Sequence, residues 1–145
     1  MLSVRIRRLD PSIALPEYQT AGAAGFDLAS SADVEIPAGQ IALVPTGLLI
    51  EVPPGHFLGI FARSSTPLKR GLMVANGVGV IDQDYCGPAD EVRIQLLNFT
   101  TATVRISKGD RIAQGPFVPV ARAEWREAER DLRDGSRGGF GATGG

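Results

Sequence analysis

The chain has 145 residues, of which 43% are hydrophobic and 21% are charged, and its formal net charge at pH 7 is −1. This composition fits one globular domain, and the charge balance argues against a broad basic surface for nucleic acid. The single cysteine, Cys86, excludes an intrachain disulfide and a cysteine-based zinc cluster. No signal peptide and no apolar run of about 18 residues is recognisable, so we expect a cytoplasmic protein without a membrane partner.

The hydrophobic pattern predicts many short β-strands separated by Gly- and Pro-rich turns. Spacing of about one strand per 8–12 residues is typical of a sandwich, barrel or jelly roll. One short helix is predicted over residues 66–70, with Pro67 at its first helical position, and residues 108–110 predict a hairpin turn. The predicted strands are residues 2–8, 34–36, 41–44, 47–52, 57–61, 72–74, 78–81, 91–97, 103–106 and 111–120.

The C-terminal part has a different composition. Residues 122–137 carry five acidic and five basic side chains, which indicates a solvated connector, with Trp125 expected to contact the body of the protein. A short helix over residues 124–133 is an alternative. Residues 135–145 contain six glycines and are too entropic to order themselves. We therefore predict a core at 1–121, a charged connector at 122–136 and a flexible arm at 137–145.

Residues 76–85 are the most informative stretch of the chain. A glycine-spaced apolar run is followed by two carboxylates, Asp82 and Asp84, and then by Tyr85. A carboxylate fixed at the end of a buried strand, beside a flat slot, can act as a general base on water. The same local pattern also fits a plain strand followed by an Asp-rich turn.

Four further segments combine groups that suit a nucleotide. Arginine, hydroxyls and a helix start suit phosphate oxygens, and the backbone N–H groups of a glycine-rich run can wrap anions. Each segment alone also fits a turn, a helix cap, a surface strand or a disordered end. The segments are residues 21–28, 62–66, 111–114 and 137–144.

The five segments occur together and in order, and in this the chain closely resembles the trimeric all-β dUTP pyrophosphatases (dUTPases). The matching motifs are AGAAGFDLAS, ARSSTPLKRGL, NGVGVIDQDY, RIAQ and RGGFGATGG, over roughly residues 20–144. The resemblance implies a distorted jelly-roll (β-clip) fold and a homotrimer with shared active sites. It also implies Mg²⁺-dependent hydrolysis of dUTP to dUMP and pyrophosphate by in-line attack of water on the α-phosphate. Such an enzyme limits uracil in DNA and supplies dUMP for dTMP synthesis.

In this family the third motif forms a β-hairpin slot for deoxyuridine. The resemblance implies that Asp82 holds the sugar 3′-hydroxyl and orients the attacking water. Tyr85 is implied to pack beneath the deoxyribose, where it leaves no space for a 2′-hydroxyl. The residues implied to read the uracil edge are Asn76, Gly79, Val80, Ile81 and Arg93.

The second and fourth motifs are implied to bind the phosphate chain. Arg63, Ser64 and Ser65 would grip it from a neighbouring subunit. Gln114 would lie near the phosphates, with Arg111 in a structural role.

The fifth motif is implied to close over the bound substrate. Arg137 and Thr143 would reach the γ-phosphate, Phe140 would cover the uracil, and Gly141 would belong to the same binding segment. Mg²⁺ is implied to be held mainly by the triphosphate and water, with Asp27 near the metal-bound waters.

The chain departs from the commonest family pattern in several places. Cys86 follows Tyr85, and residues 86–91 make the connection longer than usual. Ser65 replaces a frequent glycine, Ala142 replaces a frequent serine, and residues 115–116 replace larger apolar residues.

Two alternatives to a dUTPase stay open. The first is a dCTP deaminase, or a bifunctional deaminase–dUTPase, which shares the fold. The resemblance implies that such an enzyme uses a glutamate, three residues before an asparagine, as its general acid and base. Here that position is Gln95, before Asn98, and a neutral amide cannot shuttle a proton. The second alternative is a non-catalytic dUTP-binding protein on the same scaffold.

Overall fold

Short antiparallel strands make up almost all of the regular structure. A computed structural model describes residues 1–141 of the chain, with twelve strands and one helix in that part. The strands are β1 (Ile6–Arg8), β2 (Phe26–Ala29), β3 (Val34–Ile36), β4 (Ile41–Pro45), β5 (Leu48–Ile50), β6 (His56–Ala62), β7 (Leu72–Val74), β8 (Gly79–Ile81), β9 (Arg93–Asn98), β10 (Val104–Ile106), β11 (Arg111–Gly115) and β12 (Phe117–Pro119), and the helix is α1 (Ser65–Arg70).

The strands form four small sheets, and β6 is the centre of the largest. It pairs with β8, β11 and β12, and β11 also pairs with β2. A second sheet has β9 between β4 and β7, while β1 pairs with β5 and β3 with β10. The predicted all-β class is confirmed.

One apolar core lies between the sheets. In β9 exposed and buried positions alternate, as they do in a strand with one face against the core. Ile94 and Leu96 therefore point inward, whereas Gln95 and Leu97 lie on the outer face. Other fully buried side chains include Leu28, Ile36, Val44, Leu58, Ile60, Leu72, Ile106 and Ile112.

Several sequence predictions need correction. The strand predicted over residues 2–8 is limited to Ile6–Arg8, and β2 lies outside the predicted strands. Residues 111–120 form two strands, because Pro116, which has no backbone N–H, separates β11 from β12. Residues 108–110 do not make a hairpin: β10 pairs with β3, whereas β11 pairs with β2 and β6. The turn therefore connects two different sheets.

The helix and the connector also differ from the predictions. Helix α1 has Ser64 as its N-cap residue, which places Pro67 third in the helix, still within the first turn where no N–H is required. Residues 124–133 form no helix, and Trp125 is 90% exposed, so it does not pack against its own chain. No helix within residues 1–141 is both long enough and apolar enough to span a membrane.

Candidate active site

A cluster of charged side chains forms where β2 and β11 meet the end of β6. Asp27 on β2 lies opposite Gln114 on β11, and Arg63 follows the last residue of β6. Arg63 Nε lies 3.0 Å from Asp27 Oδ1 in an ion pair, and Arg111 Nη1 donates to Asp27 Oδ2 at 3.1 Å. Arg63 Nη1 also donates to the Arg111 carbonyl at 3.0 Å. Arg63 is therefore fixed in one direction, and the first, second and fourth motifs meet at this cluster.

Two polar side chains hold the backbone around Arg63. Thr66 is 1% exposed, and its Oγ1 accepts from the Arg63 N–H at 3.1 Å and donates to the Ile112 carbonyl at 3.0 Å. Gln114 Nε2 donates to the Ala62 carbonyl at 3.0 Å. The start of α1 is thereby attached to β11.

The hydroxyls of the second motif lie at the start of α1. Ser64 is exposed and its side chain makes no capping hydrogen bond, while Ser65 is half-buried. An exposed hydroxyl beside a fixed guanidinium can donate to phosphate oxygens.

The third motif lies along the other part of β6. Gly79 is buried against Ile60, and a Cβ at Gly79 would lie 2.8 Å from Ile60 Cβ, so β8 can approach β6 only without that side chain. Asn76 and Val80 are exposed. This strand thus offers backbone groups and one open face to a flat ligand.

Asp82 and Tyr85 occupy a tight turn directly after β8. The Tyr85 N–H donates to the Asp82 carbonyl at 3.2 Å, and the Tyr85 hydroxyl donates to the Glu91 carbonyl at 3.1 Å. The Asp82 side chain is exposed, and 38% of Tyr85 is exposed. One hydrogen-bonded turn therefore carries both an exposed carboxylate and a partly exposed aromatic ring.

The third motif lies between two strands that pair with each other, β7 and β9, but its own strand β8 is not part of that pair. Strand β8 pairs with β6, whereas β9, which begins at Arg93, pairs with β4 and β7. Residues 82–92, named loop 82–92 below, therefore connect two different sheets. Arg93 is exposed, and its Nε lies 3.2 Å from Glu91 Oε2.

Asp82 and Arg63 lie at opposite ends of β6 within one chain. The register pairs Ile81 with Leu58, which places Asp82 level with Phe57, six residues before Arg63. Six residues of strand span about 20 Å. One chain therefore does not bring the carboxylate of the third motif to the arginine and hydroxyls of the second.

The described part of the arm is exposed. Phe140 has a left-handed backbone, with φ +49°, and its ring is fully exposed. Arg137 and Gly141 are also exposed. Thr143 and Ala142 lie outside the described residues.

A family model described as dUTPase matches residues 12–144. The chain belongs to the dUTPase family. Deoxyuridine 5′-triphosphate nucleotidohydrolase from Anaeromyxobacter sp. (strain Fw109-5) is 43% identical over 148 residues, covering 99% of this chain and 98% of that protein. The same-named protein of Thermobifida fusca (strain YX) is 43% identical over 145 residues, covering 98% and 79%.

Solved structures agree with this membership. The crystal structure of dUTPase from Streptococcus mutans matches with a TM-score of 0.77 and 39% identity, covering 86% of this chain and all of that one. A Staphylococcus bacteriophage 80alpha dUTPase in complex with dUpNHpp matches with a TM-score of 0.87 at 23% identity, covering 99% of each chain, and shows the shared fold alone. The predicted dUTPase-like fold is confirmed.

The described side chains of this dUTPase form no cage for a metal ion. Within residues 1–141 no group of three His, Cys, Asp or Glu side chains is placed to hold one, and the two oxygens of Asp27 each contact an arginine. Mg²⁺ often keeps several waters and binds through substrate phosphates, so the donor set fits an ion that arrives with a triphosphate.

Thr66 lies in the segment 62–66 that the sequence singled out, but sequence patterns did not show how Thr66 or Glu91 holds the site together. Both act through partners more than 40 residues away in the chain, Ile112 for Thr66 and Gly47 for Glu91. The hydroxyl of Thr66, between Ser65 and Pro67, gave no local signal of such a partner.

Proposed function

We propose that this chain hydrolyses dUTP to dUMP and pyrophosphate in a homotrimer whose sites combine residues of different copies. Membership of the dUTPase family and its dUTP nucleotidohydrolase relatives support the reaction. The single observation that supports shared sites is the separation of Asp82 from Arg63 along β6. A site that needs both residues must take them from two chains.

In the proposed reaction Asp82 orients a water molecule and accepts its proton. The water oxygen attacks the α-phosphorus in line with the leaving group, and the bond from that phosphorus to the oxygen bridging to the β-phosphate breaks. Pyrophosphate leaves with the electron pair of that bond. Positioning and neutralisation of charge supply most of the rate. Mg²⁺, when it binds with the triphosphate, would neutralise charge on the phosphate oxygens.

We propose that Arg63, Ser64, Ser65 and Gln114 bind the phosphate chain from the second copy. The Arg63 guanidinium forms an ion pair with Asp27 and donates to the Arg111 carbonyl, so its orientation is restricted before the ligand arrives. Preorganised donors of this kind need little reorganisation when the ligand binds, so binding costs less free energy.

We propose that the deoxyuridine lies along β8 and over Tyr85. Backbone groups of Gly79, Val80 and Ile81 would read the uracil, with contributions from Asn76 and Arg93. A site with fixed donors and acceptors strongly rejects a base that leaves them unpaired. The open face of Tyr85 would contact the sugar.

An exposed apolar sheet face supports assembly into a trimer. Ile41 and Met73 are both paired with Leu97 in the β4-β9-β7 sheet, and Leu43 lies two residues along from Ile41 on the same face. Ile41 and Leu43 are each more than half exposed. Contiguous exposed apolar surface of this kind marks interaction sites, and contact with other copies would cover it.

The arm is proposed to close over the substrate. Arg137 and Thr143 would contact the γ-phosphate, Phe140 would cover the uracil, and Gly141 would give the backbone room beside it. Closure would exclude water other than the attacking molecule. Asp27 is proposed to act near the metal-bound waters as well as to orient Arg63.

The proposed reaction is tested with four nucleotides. The protein is incubated with dUTP, dCTP, dTTP or UTP in the presence of Mg²⁺, and release of pyrophosphate and ammonia is measured. We expect pyrophosphate release from dUTP to be far faster than from UTP, dCTP or dTTP. Ammonia from dCTP would indicate a deaminase, and binding of dUTP without pyrophosphate would indicate a non-catalytic binding protein.

A further inference from the structure

Loop 82–92 is closed by a hydrogen bond between its two limbs. The Tyr85 hydroxyl on the incoming limb donates to the Glu91 carbonyl on the outgoing limb at 3.1 Å. Asp82 is joined to the same turn through its carbonyl, which accepts from the Tyr85 N–H. The orientation of the Tyr85 ring therefore depends on where Glu91 lies.

Glu91 is fixed to the body of the protein. Its side chain is 13% exposed, Oε1 accepts from the Gly47 N–H at 2.8 Å, and Oε2 lies 3.2 Å from Arg93 Nε. The next residue, Val92, donates its N–H to the Leu48 carbonyl at 2.8 Å. A carboxylate that accepts a buried N–H costs free energy to remove, because the N–H is then left without a partner.

The Gly47 donor has little freedom to move. Its backbone is left-handed, with φ +68°, and a Cβ there would lie 2.1 Å from Ile13 Cδ1. The direction of the N–H that holds Glu91 is set by a turn that only glycine fits.

The longer tip of the loop folds on itself. The Gly87 N–H donates to Asp90 Oδ2 at 2.8 Å, and the Asp90 N–H donates to the Gly87 carbonyl at 3.0 Å. The tip thus satisfies its own hydrogen bonds between Tyr85 and Glu91 and leaves the bond that joins them intact.

We propose that Glu91 is a positioning residue that fixes the Tyr85 ring and so sets the preference for a 2′-deoxyribonucleotide over a ribonucleotide. This inference rests on the proposed function, in which the sugar packs on Tyr85. Glu91 does not touch the substrate. It acts through its carbonyl, and its carboxylate holds that carbonyl in place.

The test is the ratio of kcat/KM for dUTP to kcat/KM for UTP, measured by pyrophosphate release in the full-length protein. Glu91→Ala and Tyr85→Phe should each lower this ratio by about three- to tenfold, which corresponds to the net worth of one hydrogen bond. The double variant should lower it no further than the larger single effect, because both changes break the same connection. Glu91→Gln keeps an oxygen acceptor for Gly47 and should restore most of the ratio.

Two control variants separate this effect from general damage. Glu35→Gln changes an exposed glutamate paired with Arg105 at 2.9 Å on another sheet, and Asp90→Ala opens the tip of the loop. Both should keep the ratio of the unaltered protein. Loss of the ratio in Asp90→Ala would show that the tip, not Glu91, fixes the ring.

Two results would overturn the inference while leaving the proposed function intact. They are an unchanged ratio in Glu91→Ala, which includes an equal loss for both nucleotides, and effects of Glu91→Ala and Tyr85→Phe that add fully. If Glu91→Ala fails to fold, Tyr85→Phe still tests the inference. An unchanged dUTP-to-UTP ratio in Tyr85→Phe would show that the hydrogen bond from Tyr85 to Glu91 does not set the preference. No pyrophosphate from dUTP with the unaltered protein would instead remove the proposed function, and this inference with it.

Discussion

At the scale of single residues, Asp82 and Asp84 show how position separates two similar side chains. Both are exposed carboxylates on loop 82–92. Asp82 directly follows β8, whose pairing with β6 fixes its backbone, and it shares a hydrogen-bonded turn with Tyr85. The proposed base is therefore the carboxylate with the more rigid attachment.

Replacing Asp82 tests its role. Asp82→Asn should lower kcat for dUTP by about 10²- to 10⁴-fold, because an amide cannot accept the proton of the attacking water. Binding of dUTP, measured by calorimetry, should remain measurable. Asp84→Asn is the matched control and should keep kcat within a few-fold; normal turnover in Asp82→Asn would remove that residue from its role.

At the scale of elements, turns that need a left-handed backbone fix how the sheets are joined. Gly39 and Gly47 have nearly the same backbone, with φ +72° and +68°. A Cβ at Gly39 would meet nothing within 4 Å, whereas one at Gly47 would clash with Ile13. Substitutions at the two positions therefore separate the cost of backbone strain from the cost of a steric clash.

Alanine at these two glycines should have unequal effects on stability. Gly39→Ala should lower the free energy of unfolding by about 1 kcal/mol, the cost of a left-handed non-glycine residue. Gly47→Ala should cost at least about 1 kcal/mol more, because Ile13 must also move. Urea unfolding at equal protein concentration measures both, and equal losses would show that Ile13 adjusts freely.

The turn between β10 and β11 should make stability depend on acid pH. Asp110 Oδ2 accepts from the Ser107 N–H and from Arg70 Nη1, both at 2.9 Å, and these bonds lower the pKa of the Asp110 carboxyl from its ordinary 3.8. Because the pKa of Asp110 is lower in the folded state than in the unfolded state, its ionised carboxylate stabilises the fold above about pH 3.8. This stabilisation is lost as the pH falls through the pKa of the folded state.

Asp110→Asn tests this dependence. At pH 7 the variant should lose about 1 kcal/mol of unfolding free energy, and the difference from the unaltered protein should shrink below about pH 4 as the native carboxyl is protonated. Asp131→Asn, an exposed change in the connector, should have little effect at either pH. A difference that stays constant down to pH 2 would contradict the assignment.

At the scale of the whole molecule, one chain holds two incomplete parts of a site. The carboxylate and aromatic ring lie at one end of β6, and the arginine and hydroxyls lie at the other, about 20 Å away. Assembly of copies is therefore a chemical requirement of the proposed reaction.

Mixed trimers test that requirement. Asp82→Asn and Arg63→Ala subunits should each be nearly inactive alone. After unfolding and refolding together, they should regain part of the activity, because a site that takes Asp82 from one chain and Arg63 from the other is intact. No recovery in verified mixed trimers would show that each site draws both residues from one chain.

The apolar face of the β4-β9-β7 sheet should hold the copies together. Leu43→Glu would place a charge in a buried contact of the assembly, which costs several kcal/mol, so we expect monomers by light scattering and loss of turnover. Leu9→Glu, at an exposed leucine after β1, should remain trimeric and active. A fully active trimer of Leu43→Glu would place the interface elsewhere.

How well the sequence predicted the fold depended on whether the signal was local. Alternating apolar residues gave most strands within a few residues, and the glycine-spaced run gave β8. The sequence did not predict which strands pair with each other. Residues 108–110 suggested a hairpin, yet β10 and β11 lie in different sheets. Pairing is decided by contacts between distant segments, which local periodicity does not encode.

The sequence alone determined the family, the all-β class and the five segments from which a dUTP site would be built. Five ordered motifs carry this information because each needs particular residue types at fixed spacing. Only the tertiary structure showed that Asp27 pairs with Arg63, that the Tyr85 hydroxyl donates to the Glu91 carbonyl, and that Asp82 and Arg63 lie apart on β6. These facts depend on which strands lie side by side, and that is set by burial of one common core.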